Sequence, residues 1–320
     1  MSSVETMKEW PMLIRSEEEM PAIYQDVFPG YSGSFPYTVF LPSTGAFWNR
    51  TNPKLICMFD DRIYVLETQA NRASSTCYPL EDIVYVECGR VLLKSWITIN
   101  GVSSSASVVF NTVRDYMLEP FVRNVRASKA HLRLPEGRDE EHREELCKCD
   151  YLCELNFKYM NYARQSILPG ERIARIVYQP DICVRSLRMF GRSLLNVCLT
   201  AHLIILTDKE LITIREDKGV ITSIGRTRGG IRHGGVFSYL PLEGIVGLAF
   251  DAHNGDGNVT LSIRLSGDRS IHATFSPDNA DLDSFSVTFD SLKGLKDGRN
   301  PGRDAGGGLC DDADQNPYVA

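Results

Sequence analysis

Apolar and polar positions alternate most sharply around residue 60, where Leu55-Ile-Cys-Met-Phe59, the turn Asp60-Asp61 and Ile63-Tyr-Val-Leu66 follow one another. Two short apolar runs across a tight polar turn predict a β-hairpin. Tyr78-Pro-Leu-Glu-Asp-Ile-Val-Tyr-Val86 comes next and, after Gly89, Leu92-Leu-Lys-Ser-Trp-Ile-Thr-Ile99. Both are rich in the β-branched and aromatic residues that suit a pleated surface, and both predict strands. Ser105-Ala-Ser-Val-Val-Phe110 adds a last strand beyond a serine turn, and Val113, Met117, Phe121 and Val125 then recur every four residues, as in an amphipathic helix. Pro120 either starts a second helical segment or kinks the first, because it has no amide to donate.

The same order returns further on. Leu203-Ile-Ile-Leu206, the turn Thr207-Asp208-Lys209 and Leu211-Ile-Thr-Ile214 repeat the hairpin, and Tyr239-Leu-Pro-Leu-Glu-Gly-Ile-Val246 repeats the Tyr-Pro-Leu segment. Leu80 and Ile83 correspond to Leu242 and Ile245, and Tyr37-Thr-Val-Phe-Leu-Pro42 to Arg175-Ile-Val-Tyr-Gln-Pro180. A repeat this long predicts two homologous units in tandem rather than a solenoid.

The polar turn between two apolar strands, the Pro-Leu-x-x-Ile-x-x-Val strand and the Leu-x-x-x-Ile-Thr-Ile hairpin resemble bacterial PH-like domains of the short, YokE-like kind, over roughly residues 35 to 126 and 170 to 292. The resemblance implies an α+β, mainly β fold: two bent antiparallel sheets or partly open barrels, each capped by a C-terminal helix and joined by a long helix. The expected boundaries are a lead-in at 1–34, a first unit at 35–134, a connecting helix at 135–168, a second unit at 169–293 and a tail at 294–320. Each unit should hold its own sheet, and strands of both units merged into one sheet would overturn the account of two duplicated units and take the partner and phosphate expectations with it. One fold hosts many activities, so the resemblance fixes no function.

The remaining stretches fill in the outline. Ser16 to Gln25 predicts a helix with Ser16 and Glu19 as a capping box, packed on the first unit. Arg138 to Ser166 predicts one long helix with an acidic first turn and the stripe Leu152, Leu155, Tyr159 and Tyr162, stopped by Leu168-Pro-Gly170. Such a stripe is expected to cover its own unit. Ser193 to Asp208 reads as a buried strand leading into the second hairpin, and Leu282, Phe285, Phe289 and Leu292 share one face of a closing helix. After Gly294 apolar residues almost vanish, which predicts disorder.

Composition narrows the class. With 320 residues there is room for two cores, and a net charge of -6 argues against a nucleic-acid partner, which usually meets a basic stripe. Charges at Glu5, Lys8, Glu9 and Glu17-Glu18-Glu19 interrupt any leader-like apolar stretch. Nine cysteines without framework spacing fit a reducing cytoplasm, the expected location, with peripheral attachment to a membrane in the alternative reading below.

Candidate chemistry is sparse. Cys149 and Cys153 would share a helix face with His142 nearby, but Cys147 would point elsewhere, so packing rather than a metal is expected. Asp251-Ala-His-Asn-Gly-Asp-Gly-Asn258 lacks the glycine and glutamate offsets of a calcium loop and reads as a hairpin turn. No Gly-x-Ser-x-Gly, phosphate-loop lysine or His-Glu-x-x-His pattern occurs, so no catalytic residue and no cofactor is assigned. A basic set stands out: Lys218, Arg226, Arg228 and Arg232 in a glycine-rich stretch, preceded by Arg185, Arg188 and Arg192. Guanidinium forks match phosphate oxygens and glycines let amides approach. The resemblance implies that the loops joining strands one to two and three to four share one open end, which would gather these seven cations. The corresponding loop of the first unit, Thr68 to Thr76, has only Arg72, and the set departs from the closely spaced Lys-x-Arg of phosphoinositide-binding PH domains. The expected function is a non-enzymatic adaptor that binds other protein chains, itself included, through open sheet edges or helix faces. The alternative is a peripheral binder of anionic lipid or phosphate through the basic set.

Overall fold

The hairpin around Asp60-Asp61 forms as its pattern requires. β3 (Lys54–Met58) and β4 (Arg62–Gln69) pair antiparallel, with Met58 opposite Ile63. They lie in a five-stranded sheet of order β1-β2-β3-β4-β5, where β1 is Met12–Ile14, β2 Tyr37–Leu41 and β5 Arg72–Pro79. The computed structural model describes residues 9–45, 50–91, 94–132, 134, 140–189, 192–216, 234–252 and 257–296. The tail expected to be disordered lies outside them beyond Lys296, as do Lys218, Arg226, Arg228 and Arg232.

Tyr78 to Val86 is two strands and a corner rather than one strand. Proline cannot donate to a ladder, so β5 ends at Pro79, the 3-10 turn Leu80–Asp82 follows, and β6 (Ile83–Val91) sets out in another sheet with β7 (Lys94–Gly101) and β8 (Ser105–Asn111). Pro120 falls in the first turn of α2 (Glu119–Lys129), where its missing amide costs nothing, and so starts a helical segment. The stretch Thr68 to Thr76 is not a loop: Ala70 (φ 49°) and Asn71 (φ 60°) make the tight turn between β4 and β5.

The second half repeats this order. β9 (Ile173–Gln179), β12 (His202–Thr207), β13 (Glu210–Arg215) and β14 (Gly234–Pro241) precede the turn Leu242–Gly244, followed by β15 (Ile245–Ala252), β16 (Val259–Leu265), β17 (Arg269–Phe275) and α5 (Asp281–Lys296). Pro241 takes the same backbone angles as Pro79, φ -55° and ψ 133° against φ -55° and ψ 137°. An extra hairpin, β10 (Ile182–Met189) with β11 (Arg192–Leu199), is inserted between β9 and β12, so Ser193 to Asp208 is the end of one hairpin and the start of another strand.

The halves are not separate. β6 pairs antiparallel with β14, Val86 opposite Tyr239 and Val91 opposite Gly234, in one seven-stranded sheet of order β8-β7-β6-β14-β13-β12-β9. The expectation of two units each with its own sheet is therefore overturned at this seam, and the partner and phosphate expectations drawn from it no longer stand on it; the repeated order of elements remains. The chain is mainly β, with antiparallel sheets and few helices. Among the described residues no helix is long and apolar enough to cross a membrane.

Each half has an inner core between its sheets and closing helix. Val39, Ile56, Ile63, Leu80, Ile83, Phe121 and Val125 fill the first, and Val177, Ile204, Leu211, Leu242, Ile245, Phe285 and Phe289 the second. The outer face of each four-stranded array is covered by the segment preceding it. In the first half α1 (Ala22–Gln25) packs Tyr24 on Leu55, Cys57 and Leu66. In the second, α4 (Leu152–Ser166) packs Tyr159, Met160 and Ala163 on Leu203, Ile205 and Ile212.

Two helix expectations are corrected. Pro21 splits Ser16 to Gln25 into the 3-10 turn Glu17–Glu19 and α1, Ser16 makes no side-chain cap, and Glu19 accepts from the Arg15 amide at 2.9 Å. The connector is likewise two helices, α3 (Glu140–Cys147) and α4, separated by tight turns at Glu145–Leu152. Within α4 Asn156 leaves helical geometry (φ -164°, ψ 102°) and its side chain accepts from the Lys158 amide, capping the next turns. The break throws Leu155 outward, so the stripe keeps Leu152 and Tyr159 but not Leu155.

Candidate functional site

The seam where the halves meet carries the densest chemistry. A glycine makes the approach possible: a Cβ on Gly234 would stand 2.0 Å from the Arg90 carbonyl oxygen; within the first half, a Cβ on Gly89 would stand 1.9 Å from the Trp96 ring of β7. Glu87 on β6 then clamps the seam from one side, accepting from Arg215 Nη2 at 3.1 Å and from Trp96 Nε1 at 3.4 Å. Arg269 fastens the β17 end to the first half through Asn100 Oδ1 and the Gly101 carbonyl, each at 3.0 Å.

On the other side α2 sends Arg126 into the second half. Its Nε donates to Glu210 Oε1 at 3.0 Å, its Nη2 bonds the same carboxylate and the Ser166 carbonyl, and its guanidinium lies 3.8 Å from the Tyr239 ring centroid. Glu171 Oε2 stands 3.5 Å from Nη2 and accepts from the Leu168 amide at 2.7 Å, and its carboxyl lies in hydrogen-bond reach of Glu210. Burial is the main cause that pushes the Glu171 pKa up to about 9, with the Glu210 charge adding to it against the pull of Arg126. Burial by itself would lower the Arg126 pKa, and the two carboxylates more than offset it. A neutral Glu171 leaves Arg126 and Glu210 as a balanced, buried ion pair with an acid beside it.

A cleft of about 800 Å³ runs along the seam, lined by Trp96, Tyr116, Lys158, Tyr162, Gly235 and Phe237 among others. Its cations are held: Arg90 by Asp115, and Lys158 by Glu216 at 2.6 Å. Burial pushes the Cys88 thiol there up to about 12, so it stays protonated at neutral pH. These groups can bind and hold.

Arg185, Arg188 and Arg192 lie in the β10–β11 hairpin, with Arg188 opposite Ser193 and Arg192 opposite Met189. The segment carrying Lys218, Arg226, Arg228 and Arg232 joins β13 to β14. His202 is opposite both Gln179 and Arg215, and Arg215 is opposite Val236, so the roots of hairpin and segment emerge from adjacent strands at one end of the sheet. The connector cysteines do not share one helix: Cys147 ends α3, Cys149 is buried in the turns, and Cys153 is exposed on α4. No metal-ligand cluster occurs among the described residues. Asp251 to Asn258 joins β15 to β16, with Ala252 opposite Val259, and residues 253–256 lie outside the described set.

Sequence reasoning missed Arg126, Glu171 and Glu210. Arg126 follows Val125 in the predicted helix but lies off the Val113, Met117, Phe121 and Val125 face, so the spacing carried no signal for it. No protein-family model matches the chain, and no curated protein matches it in sequence.

Proposed function

We propose that the chain is a non-enzymatic binding module, two PH-like units fused edge to edge, that engages other protein chains through strand edges left unpaired. The observation that carries the reading is the state of β5 and β15. Among the described strands β5 pairs with β4 and β15 with β16, and each has a second edge with no strand on it. Ser74, Ser75, Thr76 and Cys77 on β5, and Val246 and Phe250 on β15, are exposed. Open edges offer amide and carbonyl groups that a partner strand completes. The free described cysteines fit a reducing compartment, and we place the module in the cytoplasm. A photo-reactive residue at Ser75 or at Phe250 of the full chain is expected to cross-link to protein in cells of its host. The reading fails if neither position captures any chain.

A second reading, binding of an anionic lipid or phosphate, draws support from the shared root of the two arginine-bearing segments described above. Anionic vesicles should sediment the protein at low salt and lose it as salt rises, and Arg185, Arg188 and Arg192 changed together to Ala should weaken this. Absence of pelleting at low salt ends it.

A further inference from the structure

We infer that the partner of these two edges is a second copy of the same chain, β15 of one molecule pairing with β5 of the next as β6 pairs with β14 inside each. The inference rests on the edge-binding reading and names its partner. Matching the halves at their proline corners makes β15 the counterpart of β6, and β5 the counterpart of β14. Val84 and Val246 are then the same residue at the same place. Val84 is 4% exposed, packed into the core of the other half beside Leu240 and Leu242, whereas Val246 is 62% exposed. The internal seam thus shows what an edge of this shape can meet, and the outer edge lacks it; the outer pairing stops short of the close approach at Gly234, whose counterpart on β5 is Arg72.

Charge supplies the independent argument. Leu118, Phe121 and Val125 of the α2 region match Leu282, Phe285 and Phe289 of α5, so the counterpart of Arg126 is Asp290. The lysines agree: Lys129 donates to the Glu81 carbonyl and Lys293 to the Leu242 carbonyl, both at the proline corners. In the hairpins Ile63 faces Met58 as Leu211 faces Leu206, so the counterpart of Glu210 is Arg62. Inside the chain the latch is Arg126 on Glu210; at the outer edges it is Asp290 toward Arg62, the same pair with signs exchanged. Asp290 is exposed, and Arg62 is half-exposed, its guanidinium held by two bonds to the neighbouring Asp61 carboxylate and reached by Tyr64, so Asp290 would join a pair already formed. The inversion also rejects mismatches, because Asp290 would meet Glu210, or Arg126 would meet Arg62, as like charges. The contact is head-to-tail, which closes into a ring or runs on as a filament.

The test is sedimentation velocity of the full chain over a concentration series. Wild type is expected to gain mass with concentration. Asp290→Arg and Arg62→Asp, each alone, should need roughly tenfold more protein to do so, since like charges then oppose across the contact. Mixed in equal amounts the two variants should assemble again, because each supplies the charge the other lacks. Val246→Lys should abolish assembly with its unfolding temperature unchanged, as the side chain is exposed. A wild type that stays monomeric, or variants that all assemble as wild type does, overturns the inference. Cross-links from Ser75 and Phe250 separate the two ideas: capture of other proteins alone, with a monomeric wild type, sinks self-assembly and leaves edge binding, while no capture sinks both.

Discussion

Replacing Glu171 by Gln should make the protein more stable and flatten its dependence on pH. In the folded chain this carboxyl is buried beside Glu210 and its pKa stands at about 9, against 4.5 for an ordinary glutamate. A raised pKa means that the folded state holds a proton the unfolded chain has released. Its contribution to stability is therefore complete below the unfolded value and is lost as pH rises through the folded one. Stability should therefore fall as pH rises across that window, and moving from pH 6 to pH 8 should cost the wild type at most about 3 kcal/mol through this group. Glutamine is neutral throughout. Its amide oxygen can keep the bond from the Leu168 amide, and its NH2 can take the place of the acid proton. At pH 7 the variant should therefore gain stability, by at most about 3 kcal/mol. Urea unfolding followed by tryptophan fluorescence at several pH values measures this, and other titrating groups, His202 among them, cancel in the difference between the two proteins. Parallel stability curves for wild type and Glu171→Gln between pH 6 and pH 8 would show Glu171 already ionised and refute the reasoning.

Three further outcomes follow from the seam. Arg126→Met strands the buried Glu210 carboxylate, and the loss of one partner of such a pair should cost about 3–5 kcal/mol in thermal or urea unfolding. Gly234→Ala puts a methyl against the Arg90 backbone, so amide exchange at 86–91 should speed up before that of β3 and β4 does; unchanged protection would mean that the seam can shift to accommodate it. Val84→Ala should cost roughly 1–3 kcal/mol while Val246→Ala stays within about 0.5 kcal/mol, and equal costs would contradict the difference in their burial.

Much of the local structure could be read from the chain. The short apolar runs on either side of Asp60-Asp61 and Thr207-Asp208 gave the hairpins, and the three-and-four spacing of Leu282, Phe285, Phe289 and Leu292 gave the closing helix with its buried face. The repeat of elements was visible because the Pro-Leu corner and the hairpin recur in the same order, each a short-range pattern. Errors arose where a short-range rule had a local competitor: Pro79 and Pro241 cut what looked like single strands, and Asn156 broke the stripe of the connector by capping its own turn.

What the amino-acid order decided by itself is which segments become strands and helices and which faces are apolar, since side-chain periodicity acts over a few residues. Only the tertiary structure decided which strand edges meet. Nothing in β6 or β14 names its partner, and backbone amides pair equally well with any strand brought alongside. The choice falls to groups far apart in sequence, Arg126 bonded to Glu210 and Val84 buried in the cluster that holds Leu240 and Leu242, and to Gly234, which lets two backbones touch.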